Sequence, residues 1–235
     1  MNFKYEYISF FIIIPYILLN SCSNSEDNKL VEPTSINKEI NNSINLIKLT
    51  SLLSEADQNL TPKLISDKDG SSYYSYIKKP GEGDLSIKEI EKRVSLGSDF
   101  YINEREKIKL ILDKINKLKI NNTLSNIDNG ALGLWIPSRN QLIIDFKVIK
   151  MGSPTFLDIL RHEAIHIAQS CFNGSKNSYP KRIGLPLEFS KNINLNLTHQ
   201  VYSNNPEELM YLEREAFTYS KVDRAAEKLL NKFCF

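Results

Sequence analysis

The 235-residue sequence predicts an α+β fold, and three observations carry that expectation. Apolar residues recur at helical spacing through Ile108, Ile111, Leu112, Ile115 and Leu118, which makes a one-sided stripe. Two short apolar runs, "ALGLWIP" and "QLIIDF", flank the turn-like tripeptide Ser138-Arg139-Asn140, the pattern of an antiparallel hairpin over Ala131 to Ile136 and Gln141 to Phe146. Ser153-Pro154 then offers an N-cap and a first-position proline for a helix running from Pro154 to Cys171. Hydrophobic residues make up 41% and charged residues 25%, an ordinary soluble globular balance. A net charge of +2 gives no footprint for a nucleic-acid partner, and neither a GxGxxG nor a P-loop pattern is present for a nucleotide.

From the N-terminus, "ISFFIIIPYILL" (Ile8 to Leu19) is too short for a comfortable membrane span and is interrupted by Pro15. With Lys4 before it and small residues after it, residues 1–21 read as a secretory signal. Leu19, Ser21 and Cys22 resemble a bacterial lipobox, which would make Cys22 the lipidated mature N-terminus and tie the protein to the membrane of the cell envelope. Cleavage nearby, or an uncleaved anchor, stays open. Residues 22–43 are rich in Asn and Ser and read as a linker. Residues 44–125 read as a helical N-terminal region. Ile44 to Ala56 is a short helix, Tyr73 to Ile77 a strand among turns, and Ser86 to Leu96 a helix with Ser86 and Glu89 in capping-box positions. A further helix is capped by Asn103, with Glu106 three residues on. Residues 126–235 form the catalytic region: the hairpin, the Pro154 helix, an irregular stretch, and a last helix opening at Asn205-Pro206 and continuing to Asn231.

The chemistry is concentrated in "RHEAIHIAQSC", residues 161 to 171. Residues four apart on a helix share a face, so His162 and His166 can present two imidazole nitrogens to one ion at about 2.0–2.1 Å. Glu163 is turned about 100° from His162, where it meets a water on that ion rather than the ion itself, the position of a general base. Phe156, Leu160, Ala164, Ile167 and Cys171 form the apolar face of this helix, and the histidines point about 160° away from it, toward a cleft or solvent.

This arrangement resembles the zincin metallopeptidases, in which a sheet with a substrate-holding edge strand precedes an HExxH helix. The resemblance covers residues 130 to 225. The metzincin extension of the motif fails, because Gln169 and Phe172 stand where it requires Gly and His. The gluzincin branch takes a third ligand, a glutamate, from a later helix, and "EREAFTYS" supplies Glu215 before Ala216. Treated as one helix to Asn231, this segment places Glu215 about 40° and Glu213 about 120° from the centre of the apolar face. A buried carboxylate needs a partner, so Glu215 is the expected ligand, with an Arg or Lys partner as the alternative. The aspartate that often follows the third ligand by four residues is replaced by Tyr219.

The resemblance thus implies Zn2+ held by His162, His166 and Glu215, with Glu163 as base and proton shuttle, acting on a peptide or protein substrate. An oxyanion donor would come from His199, Tyr202, Tyr211 or Tyr219. A non-catalytic envelope binding or assembly module that keeps the metal site is the alternative. Cys171 and Cys234 are either bridged, as an exported compartment permits, or two free thiols.

Overall fold

A computed structural model of the chain describes residues 4–7, 44–78, 83–128, 130–198 and 206–235. The signal segment beyond its first residues, the linker, Cys22, His199 and Tyr202 lie outside the described residues. Among the described residues, no helix is long and apolar enough to cross a membrane.

The fold is mixed α and β. In chain order its elements are β1 (Lys4–Tyr7), α1 (Leu46–Gln58), β2 (Lys63–Ser66), β3 (Ser72–Lys78), α2 (Ile87–Leu96) and α3 (Ile102–Lys117). They continue with β4 (Asn121–Ser125), β5 (Gly133–Ile136), β6 (Gln141–Asp145), α4 (Lys147–Lys150), α5 (Gly152–Phe172), α6 (Lys191–Leu197), α7 (Glu207–Ser220) and α8 (Ala225–Cys234). Helix α5 is the axis of the molecule. It packs against α8, α3, α7 and α1, and β5 lies along it. Phe156, Ile159, Leu160, Ala164 and Ile167 of α5 are sealed in one core with Ile108, Ile111, Leu112 and Ile115 of α3 and Leu230 of α8.

The hairpin forms as the sequence predicts. β5 and β6 pair antiparallel, Gly133 with Ile144 through Ile136 with Gln141, and Asn140 makes the turn in the left-handed region at φ 50°. β4 adds to the other side of β6 in parallel, giving the order β4-β6-β5 and leaving β5 at an edge. Its sequence, Asn-Asn-Thr-Leu-Ser, has no apolar alternation to announce a strand. Its buried Asn122 is satisfied instead by Ile44 N–H on Oδ1, at 3.0 Å, and by Asn116. A second small sheet has the order β1-β3-β2, in which β3 covers the strand expected at Tyr73 to Ile77 and β2 is an addition to the mainly helical 44–125 region.

Ser86 and Glu89 close the expected capping box of α2. Asn103 does not cap α3. The chain enters that helix through a 3₁₀ turn over Gly97–Tyr101, whose carbonyls already accept the first amides, and Asn103 falls inside the helix. Ser153 does not cap α5 either. Asp57, from the end of α1, takes Ser153 N–H at 2.7 Å and Ser153 Oγ–H at 2.6 Å, and Arg105 pairs with the same carboxylate. A carboxylate at a helix N-terminus satisfies free amides and favours the helix dipole, which a serine hydroxyl does more weakly. Gly152 makes the approach feasible. Its φ is +82°, and an added Cβ would come 2.5 Å from Leu60 Cδ1 and 2.9 Å from Asp57 Oδ1.

The last helix is not continuous. Residues 221–224 break it, with Arg224 in the left-handed region at φ 57°, and α8 folds back along α5. A disulfide joins Cys171 at the end of α5 to Cys234 at the end of α8. Of the two alternatives for these cysteines, the structure contains the bridge.

Candidate metal centre

α5 carries His162 and His166 one turn apart, and α7 lies over them. The histidines do point away from the apolar stripe of α5, but they meet α7 rather than open solvent. His162 is 0% and His166 4% exposed. The Phe217 ring of α7 stands 4.4 Å, centroid to centroid, from the His162 ring and forms one wall of the site.

Glu213 of α7 completes the cluster. Its Oε2 lies 3.2 Å from His162 Nε2 and 3.4 Å from His166 Nε2, and the two Nε2 atoms are 3.0 Å apart. Among the described residues, these three side chains are a group that could hold a metal ion. The spacing fits one: ligand atoms about 2.0–2.1 Å from a shared tetrahedral ion lie about 3.3 Å from one another. Two imidazoles and one carboxylate are also the donor types that divalent transition metals take.

Glu215 is not in this cluster, which corrects the expectation drawn from helical periodicity. It is fully buried, but four N–H donors satisfy it. Oε1 accepts from the backbone of Gly184 and Leu185, and Oε2 accepts from the backbone of Ile183 and from Gln169 Nε2, each at 2.9 Å. Neutral donors in that number stabilise a buried carboxylate without any cation. The periodicity misleads because the helix ends at Ser220. A single helix to Asn231 puts Val222, Ala226 and Leu230 on the apolar face with Leu212 and Ala216, but Val222 is 47% exposed in the break, and Ala226 and Leu230 belong to α8. A signal for Glu213 was present. Phe217 lies four residues further on, on the same helical face, so an apolar contact over His162 carries Glu213 in with it.

Without a bound ion, the charges in the cluster are strongly coupled. Burial holds the His162 imidazole down, at about 4. Burial opposes the charge on His166 as well, but Glu213 beside it outweighs that and draws the ring up to about 9. The Glu213 carboxyl resists ionisation through burial, and the two imidazoles together hold it far below the usual carboxylate range. A cation bound here would displace the proton shared among these groups.

Glu163 projects between α5 and the edge strand. It is 0% exposed, and neither carboxylate oxygen has a hydrogen-bond partner of normal geometry, although the Trp135 backbone amide faces it. Burial pushes its pKa up to about 8. Gly133 of β5 is what lets the strand come so close. A Cβ there would sit 2.7 Å from Glu163 Oε1 and 2.8 Å from Ile159 Cγ2. Trp135 Nε1–H donates to Ser170 Oγ at 2.9 Å and fastens the strand to α5. Sequence reasoning passed over Gly133, because a lone glycine in a strand pattern marks a close approach without saying to what.

Two candidate oxyanion donors can be placed. Tyr211 stacks under the Arg182 guanidinium at 5.2 Å, and Tyr219 packs against the main core on the Glu215 side of α7. Neither shares the helical face of Glu213.

No protein-family model matches the chain, and no curated protein or solved structure is significantly similar to it.

Proposed function

We propose that the protein is a zinc-dependent hydrolase of zincin-like type, acting on peptide bonds, with His162, His166 and Glu213 holding the ion and Glu163 as general base. The observation that carries this reading is the convergence of three ligand atoms, two from α5 and one from α7, within 3.0–3.4 Å of one another beside Glu163 of α5, whose oxygens make no hydrogen bond of normal geometry. Zinc bound there would supply Lewis acidity, lowering the pKa of water to about 7 and polarising a carbonyl. Glu163 is placed to accept a proton at one of its free oxygens and return it to a leaving amine. The edge strand β5, drawn against Glu163 by Gly133, has one side unpaired among the described residues. It is the natural place for an extended peptide to align.

The test is metal analysis of the purified chain, followed by cleavage of a mixed peptide library. Zinc at one equivalent with turnover that is lost on chelation supports the reading. Zinc without turnover would favour a binding or assembly module of the cell envelope. The N-terminal sequence supports a second part of the proposal, that the protein is exported and anchored to the membrane by a lipid on Cys22. Cys22→Ser should then shift it from the detergent-extracted fraction to a soluble exported one. Unchanged fractionation would overturn the anchor.

A further inference from the structure

Glu215 is excluded from the ligand set, yet it is connected to it. Gln169, fully buried one turn beyond His166, lies between them. Its Nε2 is 2.9 Å from Glu215 Oε2 and 3.3 Å from the Leu212 carbonyl oxygen, and its Oε1 is 2.8 Å from His166 Nδ1. An amide can be placed either way round, so its orientation has to be deduced from its neighbours. Here they leave one choice. The Glu215 carboxylate and the Leu212 carbonyl are both acceptors, so the NH2 group must face them. The amide oxygen therefore faces His166, and the nitrogen it meets, Nδ1, must carry the hydrogen.

In a neutral imidazole with hydrogen on Nδ1, the lone pair is on Nε2. That is the atom aimed at His162 Nε2 and Glu213 Oε2. Glu215 is itself held rigid by the amides of Ile183, Gly184 and Leu185, so it cannot turn away from Gln169. His162 has no such support: its Nδ1 is buried without a hydrogen-bond partner. The protein thus dictates the tautomer of one of its two imidazoles.

We propose that Gln169 and Glu215 are positioning residues of the metal centre: Glu215, clamped by three backbone amides, orients the Gln169 amide, which holds the His166 hydrogen on Nδ1 and keeps Nε2 free for a cation. The proposal rests on reading the His162, His166 and Glu213 cluster as a zinc site. It also gives the segment at 183–185 a part in that site, although none of its side chains is a ligand.

Zinc affinity of the full chain, measured by chelator competition, tests this with three variants. Gln169→Met keeps the volume and removes all three hydrogen bonds of the Gln169 amide. It should weaken binding about 10–100-fold, the usual effect of losing a partner that orients a ligand. Gln169→Glu sets a second carboxylate against Glu215 and the Leu212 carbonyl, and should weaken binding by at least as much. Adding Glu215→Gln to Gln169→Glu should then recover about threefold or more relative to Gln169→Glu alone, because the new amide at 215 donates to the new carboxylate at 169 and removes one of two facing charges, a gain reduced by turning its NH2 toward the Ile183 N–H. If Glu215 only anchors the 183–185 segment, its loss can only add damage, and the double variant binds no tighter than Gln169→Glu. That result, or wild-type affinity in Gln169→Met, overturns the proposal. Nitrogen-15 NMR of the His166 ring in the metal-free wild type, recorded above the value of about 9 so that the ring is neutral, separates this outcome from failure of the zinc reading. Hydrogen on Nδ1 supports the relay even in a chain that binds no zinc, and hydrogen on Nε2 overturns it.

Discussion

Two carboxylates stand two residues apart on α7, both buried, in pockets of opposite character. The Glu215 pocket is lined with N–H groups: three backbone amides and one side-chain amide converge on its oxygens. Among the described residues, no amide donates to Glu213. Its near neighbours are two imidazole nitrogens and, through His162, an aromatic ring. Burying a carboxylate is costly unless its charge is balanced or its oxygens are hydrogen-bonded. The first pocket meets that cost with hydrogen bonds alone and is complete as it stands. The second meets it with imidazoles, groups that could hold a metal ion. Burial therefore does not distinguish an anchor from a ligand on this helix; the partners do.

The sharpest way to break this contrast is to remove each carboxylate in turn. Glu213→Ala should leave no zinc after dialysis, whereas Glu215→Ala should retain it with affinity reduced about 10–100-fold through Gln169. Equal retention in the two variants would dissolve the distinction. Glu163 offers the next test, because it is a buried carboxylate whose oxygens make no hydrogen bond of normal geometry, with the Trp135 backbone amide facing them. Glu163→Gln should keep zinc and fold while peptide turnover falls about 10²–10⁴-fold, the usual contribution of a general base. Turnover near wild type would remove Glu163 from the reaction.

Stability reverses the order of the two α7 residues. In metal-free protein, Glu215→Ala orphans four donors and should cost about 3 kcal/mol or more by denaturant unfolding, while Glu213→Ala costs less. A larger loss for Glu213→Ala would mean that the anchor has been misplaced. The smallest expected effect is at the strand beside Glu163. Gly133→Ala forces a methyl group against Glu163 and Ile159 and should cost about 1–3 kcal/mol. An unchanged unfolding midpoint would show that β5 is free to move away.

The HExxH spacing, the hairpin before it and the polar face of α5 were legible in the sequence because each rests on local periodicity. The same reasoning chose Glu215, whereas Glu213 is the glutamate that joins the two histidines. The angles behind that choice assumed one helix through residues 221–224, where no proline or glycine marks the break and Arg224 takes a left-handed conformation unaided. β4 was missed because its burial is handled by an asparagine network rather than by apolar side chains. The Asp57 cap on α5 and the amides on Glu215 are contacts across 96 and about 30 residues, and no local pattern encodes them. What local reading lacks is a count of donors and acceptors in three dimensions, and that count is what separates Glu213 from Glu215.

The bridge between Cys171 and Cys234 turns the last quarter of the chain into a covalent ring. Both α7 glutamates lie on the ring, while His162, Glu163 and His166 lie on the tail that leads into it. One ring bond can be cut, for instance by a protease in the stretch between α5 and α6, without parting the carboxylate donor from the imidazole donors. The closure also narrows the unfolded ensemble. For a sequence separation of 63, chain-entropy reasoning assigns it about 4 kcal/mol. The cluster is therefore assembled across a knot of connectivity as well as across packed helices. A nicked molecule would run as one band until it is reduced, and would still bring its three donors to the same point.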